Sequence, residues 1–369
     1  MQVVMSAERL VRLFILLAVS LAIVGLVFIY SSSSVFAQIQ HNDPSYFVKK
    51  QALGLLLGIV VGMVAAAIPG KLYYRYAPLL WLLALGATAL TLVPGLGKTV
   101  HGSSRWLALG PIKLQPSEWL RVCTLLLLAR FIARYEDVER RRWWRYGIVL
   151  GILGMTAGIL LLQPDFGMAV TIVTTGFALL FVAYPDPVVT FSLLVSVVPI
   201  AIALIVAKPY RMRRLLTFLD PWQDPQGAGY QVIQSLTAIG SGGLVGLGIG
   251  NSRQKFLYLP MQHTDFIIAI IAEEIGFIGT TLLLLVYLVL LWVGMRLAFR
   301  LQGFARYVVL GFVVMMTLQT VINVAVALGL VPTKGIGLPF ISYGVSLLVS
   351  SFGMLGIIRS VVRAEEMRS

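Results

Sequence analysis

PMQHTDFIIAIIAEEIGFIGTTLLLLVYLVLLWVGM, residues 260–295, decides the fold class. From Ile267 to Met295 the stretch is apolar apart from Glu273, Glu274 and a few small polar residues, and Asp265 stands at its mouth. A helix needs about 20 mostly apolar residues to cross a hydrocarbon core, whereas a barrel strand needs only about 9–11. This run is therefore a membrane helix. The whole chain agrees: 59% of its 369 residues are hydrophobic, 12% are charged, and the mean hydropathy is +0.90. Soluble domains carry about a quarter charged residues.

Nine further runs resemble it, at 13–30, 52–68, 77–93, 119–132, 146–162, 168–183, 188–207, 307–330 and 344–358. Lipid cannot satisfy backbone hydrogen bonds, so such runs imply an all-α, polytopic bundle of about ten transmembrane helices forming one domain over 1–369. Pro199 is expected to kink the seventh by removing a backbone donor. The first run has Arg9 and Arg12 before it and Val35-Phe36-Ala37 after it, like a signal peptide. Its apolar part is longer than the usual 7 to 15 or so residues, and we read it as a retained helix. Cys123 is the single cysteine, which excludes an intramolecular disulfide, and His41, His101 and His263 lack zinc-site spacing.

Lys and Arg set the orientation. With the N-terminus cytoplasmic, sixteen fall in inner segments against six in short outer loops, so both termini are expected inside. The Arg140-Arg141-Arg142 cluster beside Trp143 and Trp144 then reads as a topology and anionic-lipid anchor, not a nucleic-acid site. The same orientation places the large loop 208–264, between the seventh and eighth helices, outside the cytoplasm.

That loop concentrates Lys208, Arg211, Arg213, Arg214, Arg253 and Lys255 against few acids. Such a patch suits phosphate or pyrophosphate, or simply lets arginines reach lipid headgroups. Its glycine-rich run, 240–250, lacks the βαβ setting of a nucleotide-binding loop. It reads instead as irregular backbone able to bend near the membrane and cradle an anion.

Asp265 after Thr264 has an ordinary reading as first-turn helix chemistry. Its company favours function: His263 beside it, the basic loop before it, Asp165 in the outer turn Gln163-Pro164-Asp165, and the outer cluster Arg105-Trp106 with Gln115-Pro116-Ser117-Glu118. On a continuous helix Ala269, Ala272 and Gly276 form a small-residue stripe for close helix approach. At least one of Glu273 and Glu274 is expected to face a polar partner or cavity, and Arg121 is the candidate partner.

The segments Gly229-Tyr230-Gln231, GNSRQKFLYLP (250–260), HTDF (263–266), Ala272-Glu273-Glu274-Ile275-Gly276 and Pro332-Thr333-Lys334-Gly335 through Ser342-Tyr343-Gly344 resemble the SEDS proteins of shape, elongation, division and sporulation. The likeness covers nearly the whole chain. GNSRQKFLYLP and PTKG look more like the division branch than the elongation branch, with the sporulation branch near both. Val345 and Leu347 depart from the family's Ser-Tyr-Gly-Gly-Ser-Ser. Val resists left-handed backbone, so the entry to the last helix is expected to differ.

The resemblance implies a peptidoglycan glycosyltransferase polymerising lipid II at the outer face of the bacterial cytoplasmic membrane, at the septum for a division member. It implies work beside a class B penicillin-binding transpeptidase and other divisome or elongasome membrane proteins. Asp265 would be the catalytic residue, as general base or by positioning the acceptor hydroxyl. Arg105, Arg211, Arg213, Lys255, His263, Gln115, Glu118 and Asp165 would contact substrate, with a divalent cation (Mg²⁺ or Mn²⁺) but no organic cofactor. Two rivals are a lipid II flippase, which usually shows repeats and midplane charges, and a noncatalytic scaffold.

Overall fold

The computed structural model describes residues 5–367 except 101–102, 110–111, 137–141, scattered positions between 185 and 208, and 228, 257 and 334. Three helices open the chain: α1 (Ala7–His41), α2 (Tyr46–Ala67) and α3 (Gly70–Leu90). A small antiparallel sheet follows, β1 (Gly97–Val100), β2 (Ser103–Leu109) and β3 (Ile112–Leu114), in the order β1-β2-β3. Then come α4 (Pro116–Tyr135), α5 (Arg142–Leu162) and α6 (Phe166–Ala183). The expected loop holds α7 (Pro209–Leu219), a 3-10 turn (Pro221–Gln223) and α8 (Tyr230–Gly242). Three long helices finish the fold: α9 (Ile267–Ala298), α10 (Gly303–Ala327) and α11 (Val345–Glu366).

Nine of the ten expected runs thus fall on helices, four of them overrunning a helix end by one to three residues, and the seventh, where Pro199 was expected to kink, lies largely outside the described residues. Among the described residues, by length and composition alone, seven helices suffice to cross a membrane: α1, α2, α5, α6, α9, α10 and α11. Lys71 and Arg75 set α3 apart, and Glu118, Arg121, Arg130 and Arg134 set α4 apart. The sheet is an addition to the all-α expectation. Its alternating, partly charged sequence is too short and polar for a span.

Helix α1 overruns its apolar core at both ends. Ser6 caps its start by accepting from the Arg9 amide, and left-handed Asn42 closes it with a bond to the Gln38 carbonyl. It passes unbroken through Val35-Phe36-Ala37, with Ala37 fully buried. Helix α2 presents Gly54, Gly58 and Gly62 to α11, and a Cβ on Gly62 would lie 2.8 Å from the Phe352 carbonyl. This close approach substitutes packing for the hydrophobic drive that lipid removes. Val345 starts α11 against Gly54, while the left-handed residue of the preceding loop is Phe340 (φ 66°). The Val345 substitution thus falls where no left-handed backbone is required.

Two expectations about α9 need correction. The helix is broken at Gly276 (φ 68°, ψ −172°), so the continuous stripe over Ala269, Ala272 and Gly276 does not exist. The break frees backbone groups that lipid cannot satisfy, and the glycine-rich run takes them up. Leu247 and Gly248 donate to the Glu273 and Glu274 carbonyls at 3.0 and 2.9 Å, while Phe277 and Ile278 donate to Gly243 and Leu244 at 2.9 and 3.0 Å. The glycines therefore repair a helix.

Arg121 is not the partner of Glu273 or Glu274. It pairs with Glu118 at 2.9 Å, three residues earlier on the same face, and donates to Ser350 of α11 at 3.2 Å. Glu273 accepts from Ser252 Oγ and from the Arg253 amide at 2.9 Å, and Glu274 accepts from Ser31 of α1. Each acid thus takes a hydroxyl from a neighbouring segment where Arg121 was expected.

Candidate active site

Asp265 lies just before α9, in a backbone stretch clamped from two sides. Asn323 of α10 donates one amide hydrogen to the Asp265 carbonyl at 2.9 Å and the other to the Ile336 carbonyl at 2.8 Å. Ser342 donates to the Thr264 carbonyl at 2.6 Å and accepts from the Leu338 amide, while the Tyr343 amide donates to the His263 carbonyl at 2.9 Å. Met261 and Phe340, one on each side, hold positive φ values of 56° and 66°. Such backbone strain persists only where surroundings over-determine it, and it gathers at functional sites.

Four charged groups from separate segments act on one another here. Burial pushes the Asp265 carboxyl up to about 7, against the pull of Arg214 and Arg105, while Asp165 adds to the rise. Arg105, on β2, bonds Asp165 at 3.3 Å and donates to the Pro164 carbonyl at 2.7 Å. Asp165 is buried, caps α6 through the Met168 amide at 3.2 Å, and is itself shifted upward by burial although Arg105 opposes it. Arg214, on α7, donates to the Thr333 carbonyl at 3.1 Å in the loop that also carries Gly335, whose position is 3.6 Å from Asp265 Oδ2 if given a Cβ. A carboxylate that titrates near neutrality beside two guanidiniums can accept a proton while the cations hold an anion.

The other expected residues divide. His263 is buried among Phe36, Phe47 and Tyr343, with ring centres 5.8, 4.5 and 5.6 Å away. Burial lowers its imidazole to about 4, so it is neutral and walls the clamp. Gln115 precedes α4 and ties it to α11 through Ser346 at 3.2 Å, and Glu118 is spent on Arg121. Arg213 turns to Asp224 at 3.1 Å, both exposed, away from the Asp265 cluster. Lys255 is buried and donates to the Gly250 carbonyl in the turn beside Glu273. Long loops close on themselves locally, which spacing alone does not reveal. The Arg211 side chain lies outside the described residues, as do those of Arg140 to Arg142.

Arg214, Asn323 and Ser342 were missed as site residues. Arg214 stood in the basic cluster but was indistinguishable from Arg211 and Arg213; a polar Asn323 near the end of an apolar run was the available signal for the clamp. Arg214→Ala is expected to raise the Asp265 pKa further, because a cation that lowers it is gone. Arg213→Ala should stay within about twofold of wild type, since exposed ion pairs are worth about 0–1 kcal/mol. Activity of both variants as a function of pH checks this.

These features define a multi-pass membrane protein with a cluster of charged groups at one end of its helical bundle. Residues 11–367 match the Cell cycle protein family of FtsW, RodA and SpoVE, and the chain belongs to that family. Within it the chain is most like FtsW. A probable peptidoglycan glycosyltransferase FtsW from Saccharophagus degradans is 43% identical over 91% of this chain and 88% of that protein. Stage V sporulation protein E of Bacillus subtilis is 36% identical over 95% and 96%. Among solved structures, a chain described under polymerization and crosslinking by a peptidoglycan synthase complex superposes with TM-score 0.78 at 31% identity, covering 95% of this chain and 97% of that one. The rod shape determining protein RodA of Thermus thermophilus gives TM-score 0.71 at 28% identity over 95% and 96%.

Proposed function

We propose that the chain is a peptidoglycan glycosyltransferase that polymerises lipid II into glycan strands for septal synthesis. The carrying observation is Asp265, a carboxyl raised to about 7 with Arg105 and Arg214 acting on it. The 4-hydroxyl oxygen of the acceptor sugar attacks the anomeric carbon of the donor strand. Asp265 takes the hydroxyl proton, and the bond to the pyrophosphate oxygen breaks, with its electron pair leaving on undecaprenyl pyrophosphate. Arg105 and Arg214 hold that anion in this reading; Arg105 was expected there with Arg211, Arg213 and Lys255, and Arg214 is the addition. A general base is most effective when its pKa lies near the working pH.

Asp165 is engaged by Arg105, and among the described residues no three metal-binding side chains gather. A divalent cation entering with the pyrophosphate would find Asp165 and Asp265 as its protein carboxylates, in the manner of Mg²⁺ sites completed by substrate oxygens. It would supply screening of the pyrophosphate charge. The proposal also includes ten spans, loop 208–264 and the Asp265 end outside the cytoplasmic membrane, both termini inside, and a class B penicillin-binding transpeptidase as partner. The structural likeness to a chain of a complex combining polymerization with crosslinking supports that partner.

The test is purified protein given lipid II, with and without such a transpeptidase. Glycan strands are expected. Transfer of labelled lipid II across vesicles with no polymer favours a flippase, and inertness under both conditions favours a scaffold.

A further inference from the structure

At the end of the bundle opposite Asp265, the C-terminal end of α4, the first turns of α5 and α10, and the residue closing α6 meet. Arg145 of α5 is only 5% exposed, and its guanidinium lies 5.2 Å from the ring centre of Tyr184. Arg306 of α10 lies 5.9 Å from the ring of Tyr307, whose hydroxyl donates to Glu136 at 2.6 Å. Arg145 and Glu136 act electrostatically on Tyr184, and Glu136, Arg306 and Tyr184 act on Tyr307, so the five groups form one cluster.

Among the described residues, the cluster has more donors than acceptors. Nε and Nη2 of Arg145 and Nε of Arg306 are buried without a hydrogen-bond partner, and the Tyr184 hydroxyl faces Arg145, which cannot take its proton. Glu136 is the one carboxylate acting on these tyrosines among the described residues, and Tyr307 already occupies it. Leaving buried donors unmade is costly, more so when they belong to a cation. Two helix N-termini add their positive ends, and α10 begins at Gln302 without a side-chain cap. Trp143, largely exposed on α5 beside the cluster, suits a headgroup zone.

We propose that Arg145, Arg306 and Tyr184 bind a phosphate group, carried either by a phospholipid headgroup or by a free anion. Guanidinium forks match phosphate oxygens, and the tyrosine hydroxyl supplies a further donor. This site is separate from the one at Asp265.

Its test uses the full chain in dodecyl maltoside, stripped of phospholipid. The chain is melted alone, with millimolar inorganic phosphate, with phosphatidylglycerol, and with diacylglycerol bearing the same chains. Phosphate or phosphatidylglycerol should raise the midpoint by at least about 2 °C, diacylglycerol should not, and Arg145→Gln and Arg306→Gln should each lose the gain. A gain from inorganic phosphate assigns a free anion, and one from phosphatidylglycerol alone assigns the headgroup. Wild type unresponsive to both, an equal gain from diacylglycerol, or an undiminished gain in the variants overturns the proposal. If Arg145→Gln does not fold, Arg306→Gln and Tyr184→Phe carry the same comparison.

Discussion

Asp265→Asn is expected to cut glycan-strand formation by about 10²–10⁴-fold, the usual contribution of a positioned general base, while the protein stays folded. Asn keeps the side-chain shape but cannot take the acceptor's proton. The backbone clamp from Asn323, Ser342 and Tyr343 uses carbonyls of residues 263 to 265, so it survives the change. Stability should move the other way. The carboxyl titrates at about 7 in the folded chain and at about 3.9 when unfolded. Its stabilising contribution is therefore complete below about 4 and is lost as pH rises through about 7, where the fold must hold a charge that burial disfavours. Asn carries no such penalty. Melting in detergent at pH 8 should show the variant at or above the wild-type midpoint, with the difference vanishing in acid. A variant that melts early at both pH values would assign Asp265 to the fold instead.

Gly246→Ala should be severely destabilising. Gly246 has φ 81°, and a Cβ there would lie 2.2 Å from the Glu274 carbonyl oxygen and 2.6 Å from the Gly276 amide nitrogen. Left-handed backbone costs a non-glycine residue about 1–2 kcal/mol. The larger loss is the clasp that supplies four hydrogen bonds to the break in α9. At about 1 kcal/mol each, and more where no water replaces them, the combined cost exceeds about 4 kcal/mol. We expect a sharply lower melting midpoint or loss of folded yield. Gly240→Ala is the control, since nothing lies within 4 Å of a Cβ there and the residue is helical. It should be neutral or slightly stabilising. Equal melting of the two variants would refute a structural role for the clasp.

Period and run length carried the helices, because a span must satisfy its backbone internally and so writes itself into composition. They did not carry the break at Gly276, since a single glycine in an apolar run is compatible with an intact helix. The partner of that break, 243–248, is distant in sequence and was read as an anion cradle. The sheet over 97–114 was likewise hidden in a short polar connection. At the candidate site, Asp265, Asp165 and Arg105 stood out in the sequence because carboxylates and arginines at span ends are costly without a purpose, and the structure groups the three. Which arginine of 211, 213 and 214 serves depends on the rotation of α7, which no periodicity in an eleven-residue helix fixes. Lys255 was singled out from the basic loop, and Gln115 and Glu118 from the outer cluster with Arg105. The structure instead gives them local partners at Gly250, Ser346 and Arg121.

The most direct measurement is the pH dependence of kcat/KM for strand formation by the wild-type chain. An acid limb with an apparent pKa near 7, displaced upward in Arg214→Ala, is the expected result, since Asp265 must be ionised to accept the proton and Arg214 favours that form. A limb at the ordinary carboxylate value of about 4, or a rate unchanged by pH through neutrality, would contradict a catalytic Asp265.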